Sequence, residues 1–426
     1  MTARFVQRVL EFQCLAERCE DTCCVGLRVP VSEERLWQLR QVVAGGPDEA
    51  RVDAVVHVEP ARPPSERAFI EMRSDGSCPF FDTERLCSLQ RRYGEQVLSD
   101  ACVSFPRVAW KTAEGVEVAG SLACPEMARL VLLKEGAPEL VPGPMAQVPR
   151  PEAARPMPGT PGDAYVVHFE AIRAAALRLL HRGEFPLASR LAMLGQLAFR
   201  LDSVFRGAEP FEGDAAQAGA VLAEVLPAFE VTETLEEMHQ GFSALEIPGG
   251  PCAGLLSSLL KSRMGVARGE RFAPFARGVL ASLAGSEDGA GEPDSMWREY
   301  VARWSRLEAS HGERVAQYFL HYTVNQWLRS PFTEAPDLLA YVFRLALRVA
   351  LLRLTLVGHP EVAALLASGN ASEDSRAVLD RSAVECFSLV SRHVEQAPEV
   401  LALVKNLAGS GGAETLGKTL VFARFC

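Results

Sequence analysis

Residues 14–26 of the chain read CLAERCEDTCCVG, with cysteines at the first, sixth, tenth and eleventh positions. Further cysteines follow at wider intervals, so that eight of the eleven in the chain lie within its first 124 residues: Cys14, Cys19, Cys23, Cys24, Cys78, Cys87, Cys102 and Cys124. A tetrahedral thiolate site takes sulfurs from local and distant segments, because one loop rarely aims four of them correctly. The pattern therefore predicts that the N-terminal part folds around metal.

Disulfides are the alternative use of these cysteines, and the surrounding sequence argues against them. The first residues contain no continuous apolar stretch of a secretory signal, so we expect the chain to stay in the cytoplasm, where thiols remain reduced. Two adjacent cysteines, such as Cys23 and Cys24, also rarely form an unstrained disulfide with each other. Thiolates bind both zinc and iron, so the pattern leaves open the metal, the number of sites, and a structural or catalytic role.

The composition is that of an ordinary globular protein of 426 residues, with 48% hydrophobic and 23% charged residues. Acidic residues outnumber basic ones by 54 to 44, and no basic stripe interleaved with aromatic residues is present, so we expect no nucleic-acid partner. The most apolar segment, residues 338–357, is interrupted by Arg344, Arg348 and Arg353 at near-helical spacing. This spacing predicts a helix with one solvated face and no membrane span.

Periodicity divides the chain into a small irregular Cys-rich α+β domain and a larger α-helical domain, which predicts a mainly α fold. Residues 1–135 form the predicted metal-binding domain, with strands over 68–72 and 116–122 and helices over 33–43 and 125–134. Residues 136–163 contain eight prolines and are predicted to be an extended linker. Residues 164–426 form the α-helical domain, with helices predicted over 165–180, 186–205, 215–227, 231–242, 296–309, 315–329, 336–357, 375–395 and 398–407.

One motif near the C-terminus matches a nucleotide-binding pattern by its letters alone. Residues 412–419, GAETLGKT, fit the phosphate-binding pattern G-x4-G-K-[ST]. A working loop of this kind follows a buried strand, whereas a helix-like segment precedes it here. We therefore expect that Lys418 binds no nucleotide. No G-x-G-x-x-G sequence follows a predicted strand either, so a dinucleotide-binding domain is not supported.

One predicted helix carries four hydrogen-bonding residues that recur at i, i+3, i+4 and i+7 and so share a face: Tyr318, His321, Tyr322 and Asn325. This pattern is compatible with a face that lines a substrate cleft, and also with a half-buried helix whose side chains bond ordinary partners. Arg392, His393 and Glu395, near another predicted helix end, leave the same choice between a functional site and a capping or solvated role.

In order and local sequence, the cysteine segments resemble the flagellin lysine-N-methylases, the FliB-type family. The resemblance rests on F-x-C-x4-C-E-D-T-C-C-x-G over residues 12–26, C-P-F at 78–80, L-C at 86–87, G-E-x2-L-S-x2-C-x2-F-P-R over 94–107 and C-P-E-x-A-R over 124–129. Residues 318–332 and 388–395 look like weaker C-terminal signatures of the same family. The Cys-rich half is also similar to a broader group of zinc- or iron-chelating proteins with a CxxCxxCC signature.

The resemblance implies a methyl transfer from S-adenosylmethionine to lysine side chains of a protein substrate, which is flagellin in the family. It also implies that the eight N-terminal cysteines hold an iron–sulfur cluster of the 4Fe–4S type, with zinc as the alternative metal. Four residues are then candidates for lining the path of the lysine amine: Tyr318, His321, Tyr322 and His393. On this basis we expect Tyr322→Phe to lower turnover more than stability.

Neither predicted domain contains a recognisable cofactor fold, so we expect the ligands to bind in a crevice between the two. A fragment that ends near Glu135 should then retain iron but lose methyl transfer. The alternative function is that of a non-catalytic zinc- or iron-binding or electron-transfer protein whose helical domain docks a partner. Label transferred from S-adenosylmethionine to protein lysines would decide for the enzyme.

Overall fold

The computed structural model describes residues 2–207, 211, 213–267, 269–284, 291–369, 373–409 and 411–426. Helices dominate, which confirms the predicted mainly α fold. In chain order the helices are α1 (Gln7–Leu10), α2 (Glu33–Val43), α3 (Glu49–Val55), α4 (Ser88–Tyr93), α5 (Asp100–Ser104), α6 (Pro125–Leu133), α7 (Ala164–Val167), α8 (Phe169–Leu180), α9 (Leu187–Phe205), α10 (Ala215–Val225), α11 (Thr232–Ser243), α12 (Gly249–Met264), α13 (Phe272–Ala284), α14 (Pro293–Arg329), α15 (Leu338–Gly358), α16 (Pro360–Ser368), α17 (Glu373–His393), α18 (Pro398–Ala408) and α19 (Gly412–Phe425).

The strands form two sheets. In chain order they are β1 (Thr2–Val6), β2 (Val29–Val31), β3 (Val56–Val58), β4 (Ala68–Ile70), β5 (Arg107–Thr112), β6 (Gly115–Gly120), β7 (Leu140–Gly143) and β8 (Arg155–Pro156). The first sheet has the order β7–β1–β6–β5–β8 and is mixed, since β1 runs parallel to β6 while β5 runs antiparallel to it. The second sheet, β2–β4–β3, is antiparallel, and Val29 and Val56 both pair with Ile70.

Buried apolar side chains form two separate cores. The small core lies around the second sheet and α2 and extends along the chain from Val29 to Val103. The large core extends from Ala3 to Phe425 and contains β1, β6 and α6 together with the long helices of the C-terminal part. The Cys-rich domain expected at residues 1–135 is therefore divided between the two cores, because its strands β1 and β6 and its helix α6 pack against the helical part.

Residues 136–163 supply the edge strand on each side of the first sheet. Strand β7 lies at one edge beside β1, and β8 lies at the other edge beside β5. Prolines such as Pro142 and Pro156 are tolerated there because an edge strand leaves part of its N–H groups without a ladder partner. Val148 and Ala154 of the same segment are buried in the large core. The segment expected to be a linker is thus an integral part of the fold.

Helix α15 lies inside the large core, and the solvated face predicted for it is wrong. Apolar side chains are buried along its whole length, and each of its three arginines has a partner. Arg344 pairs with Glu334 at 2.5 Å, Arg348 donates to the Glu395 carbonyl at 3.3 Å, and the guanidinium carbon of Arg353 lies 3.1 Å from the centre of a tryptophan ring. Such contacts make a buried guanidinium tolerable. Among the described helices, none is long and apolar enough to cross a bilayer.

The motif at residues 412–419 is helical, since it forms the first turns of α19 and follows α18 instead of a strand. The Lys418 ammonium donates to the Leu407 carbonyl at 3.0 Å and pairs with Glu414 at 2.6 Å. The phosphate-binding loop that the letters resemble is therefore not formed, and Lys418 joins the end of one helix to the next.

Candidate active-site cleft between the two cores

The predicted metal ligands lie on several short segments, and backbone contacts join three of these segments. The cysteine loop, defined here as residues 19–25, carries Cys19, Cys23 and Cys24. The Cys78 N–H donates to the Cys24 carbonyl at 2.7 Å, and Val25 pairs with Ser77 in an isolated bridge. A second bridge joins Phe81 to Cys87, which precedes α4. The loop is thus tied to the turn that carries Cys78 and, through that turn, to Cys87.

Thiols from these segments lie close enough to influence one another. A hydrogen bond with Cys24 and burial both raise the pKa of Cys23 well above its usual value. Burial raises the pKa of Cys102 to about 12, and the thiols of Cys23, Cys78 and Cys87 contribute to this rise. Cys102 is nevertheless exposed at its surface.

The remaining predicted ligands lie in the same neighbourhood. Burial raises the pKa of Cys124 to about 12, with contributions from the thiols of Cys19 and Cys23. Burial also raises the pKa of Cys19, and Cys14 and Cys23 add to that effect. Within the described residues, no group of three or more His, Cys, Asp or Glu side chains is close enough to hold a metal ion. The fold thus gathers the thiols into one neighbourhood without drawing them around a single point.

Three arginines beside the thiols have no carboxylate partner in the part of the chain that the structure describes. Arg73 donates to the Pro79 carbonyl at 2.8 Å, and Arg85 donates to the Cys19 carbonyl at 3.0 Å. Arg107 donates to two carbonyls at the end of α5, the helix that carries Cys102. Each guanidinium thereby holds a cysteine segment by its backbone. Its positive charge remains free to favour thiolates nearby.

The C-terminal end of α17 reaches the cysteine loop from the large core. Arg392 donates to the carbonyls of Thr22, at 2.7 Å, and Val25, and pairs with the Asp21 carboxylate at 3.0 Å. Its side chain is 2% exposed. The guanidinium also lowers the pKa of Cys23, although the first two effects, the contact with Cys24 and burial, outweigh it. The helical part of the chain is thus in direct contact with the loop that carries the cysteines.

A cleft of about 610 Å³ opens between the cysteine loop and the large core. This volume lies in the usual range for cofactor and small-ligand sites. Its walls come from the cysteine loop, the segment from Arg73 to Ser88, residues 269–271 and the end of α17. Its charged lining is balanced, with five arginines and five acidic residues: Arg51, Arg73, Arg85, Arg271, Arg392, Glu20, Asp21, Asp75, Asp82 and Glu270.

Of the four residues predicted to line the path of the amine, His393 borders this cleft. Its ring centre lies 5.0 Å from that of Phe272, and its carbonyl accepts a hydrogen bond from Arg263 at 2.9 Å. Burial, with the charges of Arg392 and Arg263, lowers the pKa of His393 to about 3. The imidazole is therefore neutral at physiological pH.

The other three predicted residues lie on α14 away from the cleft, and each has a partner inside the protein. Tyr318 donates to Asp380, His321 Nδ1 lies 2.9 Å from the Val131 carbonyl of α6, and Tyr322 donates to Glu395 at 2.5 Å. All three are buried. Their contacts join α14 to α6 and to the α17 end, which is the structural role that the sequence left open for this helix face.

Except for Arg392, the arginines around the thiols and the cleft were not singled out by sequence reasoning. Arg107 stood within a motif quoted for the family resemblance, which was its only signal. Arg73, Arg85 and Arg271 stand in stretches with no distinctive spacing, and tertiary folding alone brings them to the cleft.

Comparisons with known proteins identify the family of this chain. The protein named Lysine-N-methylase of Salmonella typhimurium is 30% identical over 126 residues, a match that covers 29% of this chain and 31% of that protein. The flagellar biosynthetic protein FliU of Salmonella muenchen is 30% identical over 128 residues, 29% of this chain and 73% of that protein. The match thus spans about a third of the lysine-N-methylase. No solved structure matches the chain. Residues 173–422 match the model of the FliB lysine N-methylase C-terminal domain, and because this region exceeds half of the chain, the protein belongs to the FliB family.

Proposed function

We propose that this protein is a protein-lysine N-methyltransferase that uses S-adenosylmethionine, and that the reaction takes place in the cleft. The lysine amine attacks the methyl carbon in line, so that an N–C bond forms while the S–C bond breaks and leaves its electron pair on sulfur. The products are N-methyllysine, S-adenosylhomocysteine and one proton. The cleft between the cysteine loop and the end of α17, in a chain of this family, is the observation that carries the proposal.

The thiols beside the cleft fit an iron–sulfur cluster. Four thiols that influence one another, and that come from separate segments, would hold it: Cys23, Cys78, Cys87 and Cys102. Each thiolate of such a cluster binds a different iron, so the ligands stand farther apart than those of one ion. The arginines without carboxylate partners offset the negative charge of thiolates and cluster. Because each of the four irons would then be bound by a cysteine thiolate, the bound cluster would have no open coordination position; it would fix the four cysteine segments relative to one another and supply a one-electron redox centre. Zinc on the same thiolates is the alternative.

The charges of the cleft suit a cofactor with both signs of charge. S-adenosylmethionine carries an α-carboxylate, an α-ammonium group and a sulfonium. Arg73 and Arg85, which have no carboxylate partner in the described residues, are suited to bind the carboxylate. Asp82 and Asp75 lie in the same wall and are suited to accept from the ammonium group. A cleft of one sign would select a simple anion or cation instead.

The lysine has to lose its proton before the transfer, because its pKa is about 10.4 in water. His393 is neutral and can accept a hydrogen bond from the amine, but a pKa of about 3 makes it a weak proton acceptor. Desolvation in the cleft and the charges of Arg73 and Arg85 both lower the pKa of an entering amine. The proton then passes to water at the mouth of the cleft or to one of the lining carboxylates.

The test is methyl transfer by full-length protein prepared without oxygen. The protein is incubated with methyl-labelled S-adenosylmethionine and purified flagellin, and methylated lysines are identified by mass spectrometry of peptides. Iron, sulfide and zinc are measured on the same sample. We expect label on lysine side chains, and we expect iron together with acid-labile sulfide.

Two cysteine variants connect the activity to the thiols. Cys23→Ser should weaken iron binding at least about tenfold, as the loss of a group next to a metal already does, and should lower methyl transfer with it. Cys252→Ser is the matched control, since Cys252 is buried in the large core away from the other thiols. Metal bound by the wild type without label on any protein would favour the non-catalytic alternative, and stoichiometric zinc without sulfide would rule out the cluster.

A further inference from the structure

The cysteine loop has little secondary structure of its own to fix its shape. Residues 19–25 contain turns, bends and a single isolated bridge, so few backbone hydrogen bonds define its course. The chain turns at Cys23 and Cys24, and the Cys23 thiol lies near those of Cys102 and Cys124 from other segments. A loop of this kind takes its conformation from the groups that pack against it.

Arg392 supplies the contacts to this loop from the end of α17, in addition to the Arg129–Glu20 ion pair from α6. Its two carbonyl acceptors belong to Thr22 and Val25, the residues directly before and after the Cys23–Cys24 pair, and its ion-pair partner is Asp21. One nitrogen of the guanidinium, Nη2, donates to both carbonyls and so contacts the loop on either side of the two cysteines, while Nη1 lies 3.0 Å from the Asp21 carboxylate as an ion pair. Buried, charge-assisted hydrogen bonds to two carbonyls fix a direction as well as a distance.

The turn that carries Arg392 is itself fixed inside the protein. Glu395 accepts hydrogen bonds from Tyr322 at 2.5 Å and Gln326 at 3.3 Å, both on α14. The His393 carbonyl accepts from Arg263 of α12 at 2.9 Å. Arg392 thus connects the cysteine loop to three helices of the large core, α12, α14 and α17.

We propose that Arg392 is the positioning residue that holds the cysteine loop in the conformation that places Cys23 beside the neighbouring thiols and Asp21, Thr22 and Val25 in the wall of the cleft. The proposal rests on the proposed function only in that these thiols are taken to be metal ligands. In this proposal the C-terminal segment 388–395 has a structural role at the metal site. The helical part of the chain shapes that site although it contributes none of the predicted thiol ligands.

Two variants of the full chain test this role by hydrogen–deuterium exchange of the loop amides and by the electron paramagnetic resonance signature of the reduced metal centre. In Arg392→Met the loop loses all three contacts. Exchange over residues 19–25 should rise by about tenfold or more, because one charge-assisted hydrogen bond shifts a local opening equilibrium by that factor. Arg392→Lys keeps the charge, but its single ammonium nitrogen replaces both Nη2, which donates to the two carbonyls, and Nη1, which pairs with Asp21, so it should restore the wild-type exchange and signature only in part.

Arg314→Met is the matched control, because Arg314 also pairs with a carboxylate, Asp380, and also donates to a backbone carbonyl, but it does not touch the loop. We expect it to lower global stability without changing the loop exchange or the metal signature. If Arg392→Met is too unstable to purify, Asp21→Asn removes the ion pair alone and should raise the loop exchange to a smaller degree.

Wild-type exchange in the loop of both Arg392 variants, or an equal rise in Arg314→Met, would overturn the proposal. The comparison does not depend on methyl transfer. A wild-type protein that orders this loop but methylates no lysine would refute the proposed function and leave the role of Arg392 standing, while active protein with an unaffected loop would do the reverse.

Discussion

Asp202 on α9 is a buried carboxylate that holds the start of α15. Its two oxygens accept hydrogen bonds from the backbone N–H groups of Leu338, at 3.1 Å, and Leu339, at 2.7 Å, and from the Tyr165 hydroxyl. Burial raises its pKa to about 6, and the nearby charge of Asp337 adds to the rise, against the lowering effect of these hydrogen bonds. The hydrogen bonds that hold the start of α15 therefore depend on pH through the protonation state of Asp202.

The sign of this coupling follows from the raised pKa. The folded state holds the proton of Asp202 more tightly than the unfolded chain does, so the stabilisation is full below about pH 4 and is lost as the pH rises through about 6. The loss is on the order of 3 kcal/mol for a shift of about two units. Asp202→Asn cannot titrate, so from pH 4 to 7 it should become progressively more stable relative to the wild type. Urea unfolding of both proteins over this range measures that difference, and a difference independent of pH would contradict the assignment.

Tyr322 stabilises the fold through a buried hydrogen bond, which changes the expectation drawn from the sequence. Its hydroxyl donates to Glu395, which keeps the Gln326 and Ser391 contacts when the hydroxyl is removed. Tyr322→Phe should therefore lower the free energy of unfolding by about 1–2 kcal/mol. Turnover per folded molecule should stay close to that of the wild type, since Tyr322 does not border the cleft. A large fall in turnover at unchanged stability would return Tyr322 to the reaction path.

At the scale of single elements, residues 412–419 of α19 match a phosphate-binding sequence pattern but have a different structure, because they follow a helix instead of a strand. Lys418 bonds the last turn of α18 and Glu414 one turn earlier in its own helix. Lys418→Ala should lower stability by about 1 kcal/mol or less, because a partly exposed pair and one carbonyl contact are lost. Calorimetry with ATP should show no binding to either protein. Binding that disappears in the variant would mean that the motif holds phosphate after all.

Local signals predicted some helices well and missed others for a steric reason. Helix α2 was predicted with its observed bounds, since Ser32 precedes it as an N-cap and its apolar residues recur at helical spacing. Helix α12 was missed because it begins with two glycines and a proline. A Cβ atom at Gly249 would overlap the Trp297 ring, and one at Gly250 would overlap Asp294, so these glycines permit close packing against α14. That requirement comes from the partner helix and is not visible in a local pattern.

At the scale of the whole molecule, some residues of the candidate site were recognised from the sequence and others were not. The cysteines were identified from their type and clustering, since few other roles need so many thiols in a reducing compartment. Apart from Arg392, the arginines of the cleft were not, because arginine is common on protein surfaces and these residues meet only through the tertiary fold. The path of the amine was placed on a helix face whose pattern fitted both a cleft and a buried contact, and the contacts of Tyr318 and His321 match the second.

The division of the hydrophobic core has a further consequence for the whole molecule. Strands β1 and β6 and helix α6 lie in the N-terminal 135 residues but pack into the large core. Glu117 of β6 is 5% exposed and forms a bidentate pair with Arg173 of α8, at 2.6 and 2.9 Å. The two parts of the chain thus share apolar surface and a buried ion pair, so they are expected to fold as one unit.

A fragment of residues 1–135 should therefore fail to fold, in contrast to the expectation that it would retain iron. It exposes Phe5, Val118 and Met127, which are at most 1% exposed in the full chain. It also removes Arg173 from Glu117, so that this buried carboxylate keeps only its pair with Arg4. Without Arg392 the cysteine loop also loses its contacts with the end of α17. We expect no cooperative thermal transition and little bound iron, and we expect co-expression of residues 136–426 to restore both. A soluble fragment that melts cooperatively with stoichiometric iron would show that the N-terminal part is an independent metal domain.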